Sequence, residues 1–185
     1  VKWAKEDVMK SKGKVFRLQY RPFDFRYSYF TGTSKGFIAY PRKELTEALL
    51  TKNLALATMR QVAGVPDECE VFATTVPMTD RSMCSTLGTP YLFPLYCGTG
   101  RGDLLAASNN RPNFSNEFLT ALARALNLKR QGEHGLPSDL TPEDIFHYAY
   151  AVLHSPGYRS RYAEFLKVDF PHLPLTEDME VFRLL

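Results

Sequence analysis

Apolar residues recur at helical spacing most clearly between Thr141 and Thr176. Ile145, Tyr148, Ala149 and Val152 fall on one side of a helix, and Phe146 and Leu153 widen that stripe. Thr141, Pro142 and Asp144 supply an N-cap, a first-turn proline and a short relative of the capping box, so the helix is predicted to start there. Ser155-Pro156 ends it and opens another, because proline excludes the helical conformation from the residue before it yet suits the first turn of a new helix. Tyr158, Tyr162, Phe165 and Leu166 form the second stripe. Asp169-Phe170-Pro171 and Leu173-Pro174 then predict an irregular, extended tail. A further helix is predicted from the Ser115 cap to about Asn127, with Phe118, Leu119, Leu122 and Leu126 on its core face.

The earlier part of the chain alternates instead. Lys2 to Ser11 reads as a short helix or the end of a connecting one, closed by Gly13. Val15 to Tyr20 and Phe25 to Phe30 read as strands joined by the turn Arg21-Pro22-Phe23-Asp24. After a loop at Gly32 to Gly36, a strand is predicted at Phe37 to Tyr40, then a helix from Pro41 to about Lys52 with Leu45, Ala48 and Leu49 on one side. Leu54 to Val62 and Cys69 to Val76 read as strands, Pro77 to Thr89 gives no element, and Tyr91 to Cys97 is an aromatic strand whose Pro94 favours an edge or bulged position. Gly98 to Asp103 is a loop and Leu104 to Asn113 a linker. The fold class is α+β, with short, mostly antiparallel strands first and helices afterwards. Residues 1–14 are taken as a linker from an upstream region and 15–185 as one domain, strand-rich over 15–97 and helical over 115–170. The chain begins at Val1 inside a charged segment and reads as a piece of a larger polypeptide.

Charge sharpens this division. Residues 1–60 hold 13 Lys and Arg against 5 Asp and Glu, whereas residues 131–185 hold 4 against 9. A basic front and an acidic back suggest a cationic surface for a polyanion, although a solvated lysine-rich leader explains the first few lysines equally well. Three cysteines, Cys69, Cys84 and Cys97, without C-x-x-C spacing fit thiols in a reducing cytoplasm. His134, His147, His154 and His172 make no metal-ligand pattern, and no apolar run approaches the roughly 20 residues of a membrane span.

Candidate chemistry is sparse. Gly98-Thr99-Gly100-Arg101-Gly102-Asp103 follows a strand but misplaces the third glycine of a dinucleotide loop, and its downstream residues do not read as the helix that would receive phosphate. No nucleophile and base pattern stands out, and Asp169 reads as a cap or ion-pair partner. Arginines beside aromatics recur instead: Arg21 before Phe23, Arg26 beside Tyr27, Arg42 after Tyr40, and Arg159 and Arg161 between Tyr158 and Tyr162. Arginine clamps phosphate or reads guanine through its fork, and Asn or Gln reads adenine, so Arg60 with Gln61 and Arg111 with Asn113 have suitable chemistry. Arg161 stands three residues before Glu164, a helical salt-bridge spacing that competes with a DNA role for Arg159 and Arg161.

The run TPEDIFHYAYAVLHSPGYRSRYAEFLKVDFPHLPL, preceded in order by YRPFDFRYSYF, AYPRKEL, NLALATMRQV, FPLY and RPNFS, resembles the C-terminal target-recognition (specificity) domain of Type ISP restriction-modification enzymes. The resemblance spans about Tyr20 to Pro174; Val65 to Pro90 contributes no motif. It implies a parent polypeptide with nuclease, helicase-like ATPase and adenine-specific DNA methyltransferase domains upstream, using S-adenosylmethionine, ATP and Mg. The sequence itself carries no Walker A, N-P-P-Y or D-P-P-Y motif, so this fragment is expected to be catalytically silent and to hold no cofactor. The implied partners are double-stranded DNA and the upstream methyltransferase and helicase domains, in the cytoplasm and with no membrane. Lys35, Arg42 and Lys43 are then expected at phosphates, and Arg60, Gln61, Arg81, Arg101, Arg111 and Asn113 at bases or backbone. The rival expectation is a protein or interdomain interaction module.

Overall fold

The computed structural model describes residues 2–60, 71–83, 88–98 and 111–185. Helix α1 (Lys2–Lys10) precedes a hairpin of β1 (Lys14–Arg21) and β2 (Asp24–Phe30). Helix α2 (Lys43–Leu49) leads to β3 (Ala55–Thr58), β4 (Val71–Thr74), β5 (Tyr91–Pro94), β6 (Tyr96–Cys97) and β7 (Arg111–Pro112). Helices α3 (Asn116–Ala125), α4 (Pro142–His154), α5 (Pro156–Arg161), α6 (Ala163–Leu166) and α7 (Met179–Leu184) complete the α+β fold. The described strands form three small antiparallel sheets: β1-β2, β4-β3-β5 and β6-β7.

The helical half holds the main core. Leu119, Leu122 and Leu126 from the α3 region meet Ile145, Tyr148, Val152 and Leu153 of α4, Tyr158 of α5, Leu166 of α6 and Val71 of β4. The α4 start forms because Thr141 accepts from the Asp144 backbone N–H while Asp144 accepts from the Thr141 backbone N–H, satisfying two donors that a helix end leaves orphaned. The second predicted helix is interrupted at Tyr162, which is 39% exposed and leaves the stripe to Tyr158, Leu166 and half-buried Phe165. The extended tail is strapped down by two phenols. Tyr158 Oη donates to the His172 carbonyl at 2.7 Å, and Tyr148 Oη donates to the Pro174 carbonyl at 2.8 Å while accepting from the Thr176 N–H at 3.1 Å. Beyond it lies α7, absent from the sequence expectation, where Asp178 accepts from the Glu180 and Val181 N–H groups and Phe182 stacks on Tyr148 at 4.6 Å.

The strand half departs from expectation in several places: β3 ends at Thr58, Leu95 splits the aromatic strand into β5 and β6, β7 forms inside the expected linker, and two further changes lie around α2. Residues 37–40 form bends, not a strand, because the Phe37 N–H is taken by the Asp7 carboxylate at 2.8 Å and the Ala39 carbonyl by the Lys35 N–H at 2.9 Å. Helix α2 starts at Lys43 because Arg42 has φ 43, and it stops at Leu49. Pro94 does lie on an edge strand, as its missing N–H requires, since β5 borders the three-stranded sheet. Buried Asn53 welds the sheets: its amide donates to the Ala48 and Tyr96 carbonyls, and its oxygen accepts from the Leu54 and Tyr96 N–H groups. The expected strand ends at Gln61, Val62 and Cys69, the positions Cys84 and Arg101, and all but Gly98 of the Gly98 to Asp103 loop lie outside the described residues, as does 104–110 of the linker.

Candidate nucleic-acid interface

All 13 Lys and Arg side chains of residues 1–60 belong to exposed residues. The strand register explains part of this. Val15, Arg17 and Gln19 pair with Tyr29, Tyr27 and Phe25, whereas Phe16 and Phe30 are buried on the opposite face. Directly opposed residues of an antiparallel pair share a face, so Arg17 and Tyr27 are held on the outer one. Arginines of the hairpin lie over rings: Arg17 Cζ is 4.0 Å from the Phe25 centroid, Arg26 Cζ 3.8 Å from Tyr20, and Arg21 Cζ 5.5 Å from Tyr20. Arg26 therefore packs on Tyr20 and not on its chain neighbour Tyr27, since consecutive strand residues point to opposite faces. Its guanidinium also meets Asp24 at 3.1 Å.

A second basic group, Lys35, Arg42 and Lys43, lies on one connecting segment. All three are exposed on the segment from β2 to the start of α2, where Lys35 and Arg42 have positive φ values of 56 and 43. The segment is pinned at its base by Asp7 of α1, whose carboxylate accepts from Thr31 Oγ1 at 2.7 Å and Ser11 Oγ at 2.9 Å as well as from Phe37. These bonds, led by the Phe37 N–H, hold the Asp7 carboxyl below its ordinary pKa. The aliphatic stem of Lys43 runs beside Gly32, and its Nζ lies 4.0 Å from Glu47. Sequence order alone did not reveal that Asp7 organises this cationic loop, because the contact spans the whole hairpin.

Other candidate positions are engaged within the fold. Arg60 Nε lies 3.1 Å from Asp169 Oδ1, and Asp169 also accepts from the Phe170 N–H. The Phe170 bond, then the nearby Arg60 and His172, lower the Asp169 pKa. Asn113 donates its side-chain amide to the Pro94 carbonyl at 3.0 Å and its backbone N–H to Leu95 at 2.8 Å, fixing β7 beside β5. Arg111 is exposed one register step away, paired with Cys97. Arg81 is exposed, and its carbonyl accepts from Arg21 Nη1 at 3.1 Å, which brings it to the hairpin. Arg159 is half-buried and Arg161 exposed on α5. Glu164 bonds Lys167, one turn later, instead of the expected Arg161. Gln61 and Arg101 are outside the described residues. Thus the Arg21 guanidinium meets the Arg81 backbone, Lys35, Arg42 and Lys43 share one exposed segment, and Arg60 is tied to the C-terminal segment. Arg130 went unnoticed in the sequence; it bonds the Gly135 carbonyl, Thr120 and Asn116 and anchors the α3 to α4 connection.

Among the described residues, no group of three or more His, Cys, Asp or Glu side chains is placed to hold a metal ion, and no helix is long and apolar enough to cross a membrane. A family model described as the Type ISP C-terminal specificity domain matches residues 2–185. A solved DrdV–DNA complex is similar over 90% of this chain and 14% of that one, at 27% identity and a TM-score of 0.65. The ATP-dependent Type ISP restriction-modification enzyme LlaBIII bound to DNA is similar over 89% of this chain and 10% of its own, at 20% identity and a TM-score of 0.61. A nuclease-deletion mutant of the Type ISP enzyme LlaGI in complex with a DNA substrate mimic covers 87% of this chain and 12% of its own, at 20% identity and a TM-score of 0.54. The last two show the fold alone. No curated protein sequence matches.

Proposed function

Because this chain belongs to the Type ISP C-terminal specificity domain family, we propose that it reads the sequence of double-stranded DNA for a larger restriction-modification polypeptide. The observation that carries this reading is the uniformly exposed set of basic side chains in residues 1–60, set on a hairpin and a loop while the helical half buries the core. Exposed cations neutralise phosphates, and phosphate contacts fix register without reading sequence. Base discrimination then falls to side chains that reach groove edges, for which Arg111 and Arg81 have both exposure and the donor fork.

In this proposal the fragment has no catalytic group of its own. Upstream methyltransferase and helicase domains use S-adenosylmethionine, ATP and magnesium, and the specificity domain presents duplex DNA so that adenine-N6 methylation and ATP-dependent restriction occur at one site. Taking a base out of the stack costs a few kcal/mol, so a domain that grips flanking duplex sets where that cost is met. Titration of the intact polypeptide with random duplex DNA at several salt concentrations tests binding, and methylome sequencing of cells expressing it tests site choice. Salt-insensitive or absent binding, or a methylation site unchanged when this domain is exchanged for that of a relative, would overturn the reading.

A further inference from the structure

The β1-β2 hairpin ends in a two-residue turn, Pro22-Phe23, closed by the pair Arg21 and Asp24. Proline presets its own φ near −65°, and Phe23 follows at φ 62. That sequence of angles is the one in which glycine or asparagine is favoured at the second position, because a Cβ is crowded in the left-handed region. Phe23 is nonetheless a bulky aromatic, and it is 86% exposed. The fold accepts an unfavourable backbone conformation there and recovers almost no burial from the ring. A smaller residue would make a better turn, so the ring's use lies outside the chain.

The surroundings identify the occupant. The tip is held rigidly from below: the Gln19 N–H donates to Pro77, the Thr79 N–H returns a bond to Gln19, and Thr79 Oγ1 donates to Tyr20. Ser82 Oγ donates to the Thr79 carbonyl and stiffens that support. Arg21 closes the turn and donates to the Arg81 carbonyl, Arg26 lies just beyond the turn, and Arg17 stands farther back on β1 over Phe25; Asp24 is already joined to Arg26, and Asp80 precedes Arg81. An apolar ring raised on a stiff turn among cations matches a base step between two phosphate rows: the cations face the phosphates and the ring meets the π-face of a base.

We infer that Phe23 is a stacking wedge, which enters duplex DNA beside the recognition site and packs on a partly unstacked base while the flanking arginines hold the backbone. This inference rests on the DNA-reading function proposed above. It is tested in the intact polypeptide with Phe23→Asn, which suits the left-handed turn and removes the ring, and with Phe23→Trp, which keeps an aromatic face. The probe is a duplex bearing the methylation site, with 2-aminopurine placed in turn at positions other than the methylated adenine. The wild-type protein should raise the fluorescence at one position. Phe23→Asn should lose that signal and bind about tenfold more weakly, the scale of one base stack, whereas Phe23→Trp should keep both.

Wild-type binding and unstacking retained by Phe23→Asn would overturn the wedge and leave DNA reading intact. A Phe23→Asn variant that melts at lower temperature without DNA would place the ring against another protein surface, which also overturns it. If the wild-type protein shows no salt-dependent DNA binding, the failure lies with the DNA-reading function itself.

Discussion

Arg60 Nε and Asp169 Oδ1 lie 3.1 Å apart, joining the residue just past β3 to the start of the tail, 109 positions away in sequence. Phe170 reinforces this join by meeting the rings of Tyr91 and Phe93 edge-on at 4.9 and 6.0 Å. Both charged side chains are well exposed, at 58% and 43%, so the pair sets position more than stability. The Asp169 carboxyl titrates below its ordinary value, so its stabilising interactions are fully present above the ordinary carboxylate range and fade as pH falls through the lowered value. Arg60→Ala should raise the Asp169 pKa in an NMR titration while the Phe170 N–H still keeps it below normal. High salt should shrink the difference between variant and wild type.

Tyr96 Oη donates to Glu143 Oε1 at 2.8 Å, linking β6 to the first turn of α4. Burial, followed by the bond to Glu143 and its negative charge, pushes the phenol up to about 12. The folded state therefore holds this proton more tightly than the unfolded chain does. That contribution is complete below about pH 10 and is lost as pH rises toward 12. Stability measured against pH should fall across this alkaline window in the wild-type protein, and Tyr96→Phe should lose that component of the slope.

The capping box at Thr141 and Asp144 closes the start of the best-formed helix. Thr141→Ala should cost about 1 kcal/mol and lower the urea midpoint without altering the slope of unfolding free energy. Burial of Asp144 opposes ionisation, but the Thr141 backbone and hydroxyl bonds outweigh it and lower the pKa, so part of this cap's support disappears below the ordinary carboxylate range.

Leu122 is completely buried where α3 meets α4. Leu122→Ala should destabilise by about 2–5 kcal/mol, whereas Tyr162→Ala, at a position 39% exposed on the same helical half, should cost far less. Equilibrium unfolding in urea distinguishes the two directly.

Lys43 sits at the head of α2 with its Nζ 4.0 Å from Glu47, too loosely held to be a structural pair. As a phosphate contact it should act alike on every sequence: Lys43→Ala weakens specific and random duplexes to the same degree and reduces the salt slope of binding by about one unit. A change confined to one base position would assign Lys43 to base reading instead.

The α4 cap, the stripe of Ile145, Tyr148 and Val152, the Ser115 cap of α3, the alternating hairpin and the edge placement of Pro94 were all decided by neighbours within a few residues, where caps, proline geometry and periodicity act. For the same reason the sequence located a basic front and an acidic back, and its longest motif carried the family. Long-range contacts decided the rest. Asp7 captures the Phe37 N–H across the hairpin and turns an expected strand into bends, Asn113 spends its amide on Pro94, and Asp169 claims Arg60. The sequence offered Phe37 as a strand residue, Arg60 and Asn113 as DNA contacts, and Asp169 as a cap or ion-pair partner without naming its mate. A donor's partner, however, is set by which acceptor the folded chain brings within about 3 Å, and that distance is fixed only when the elements pack.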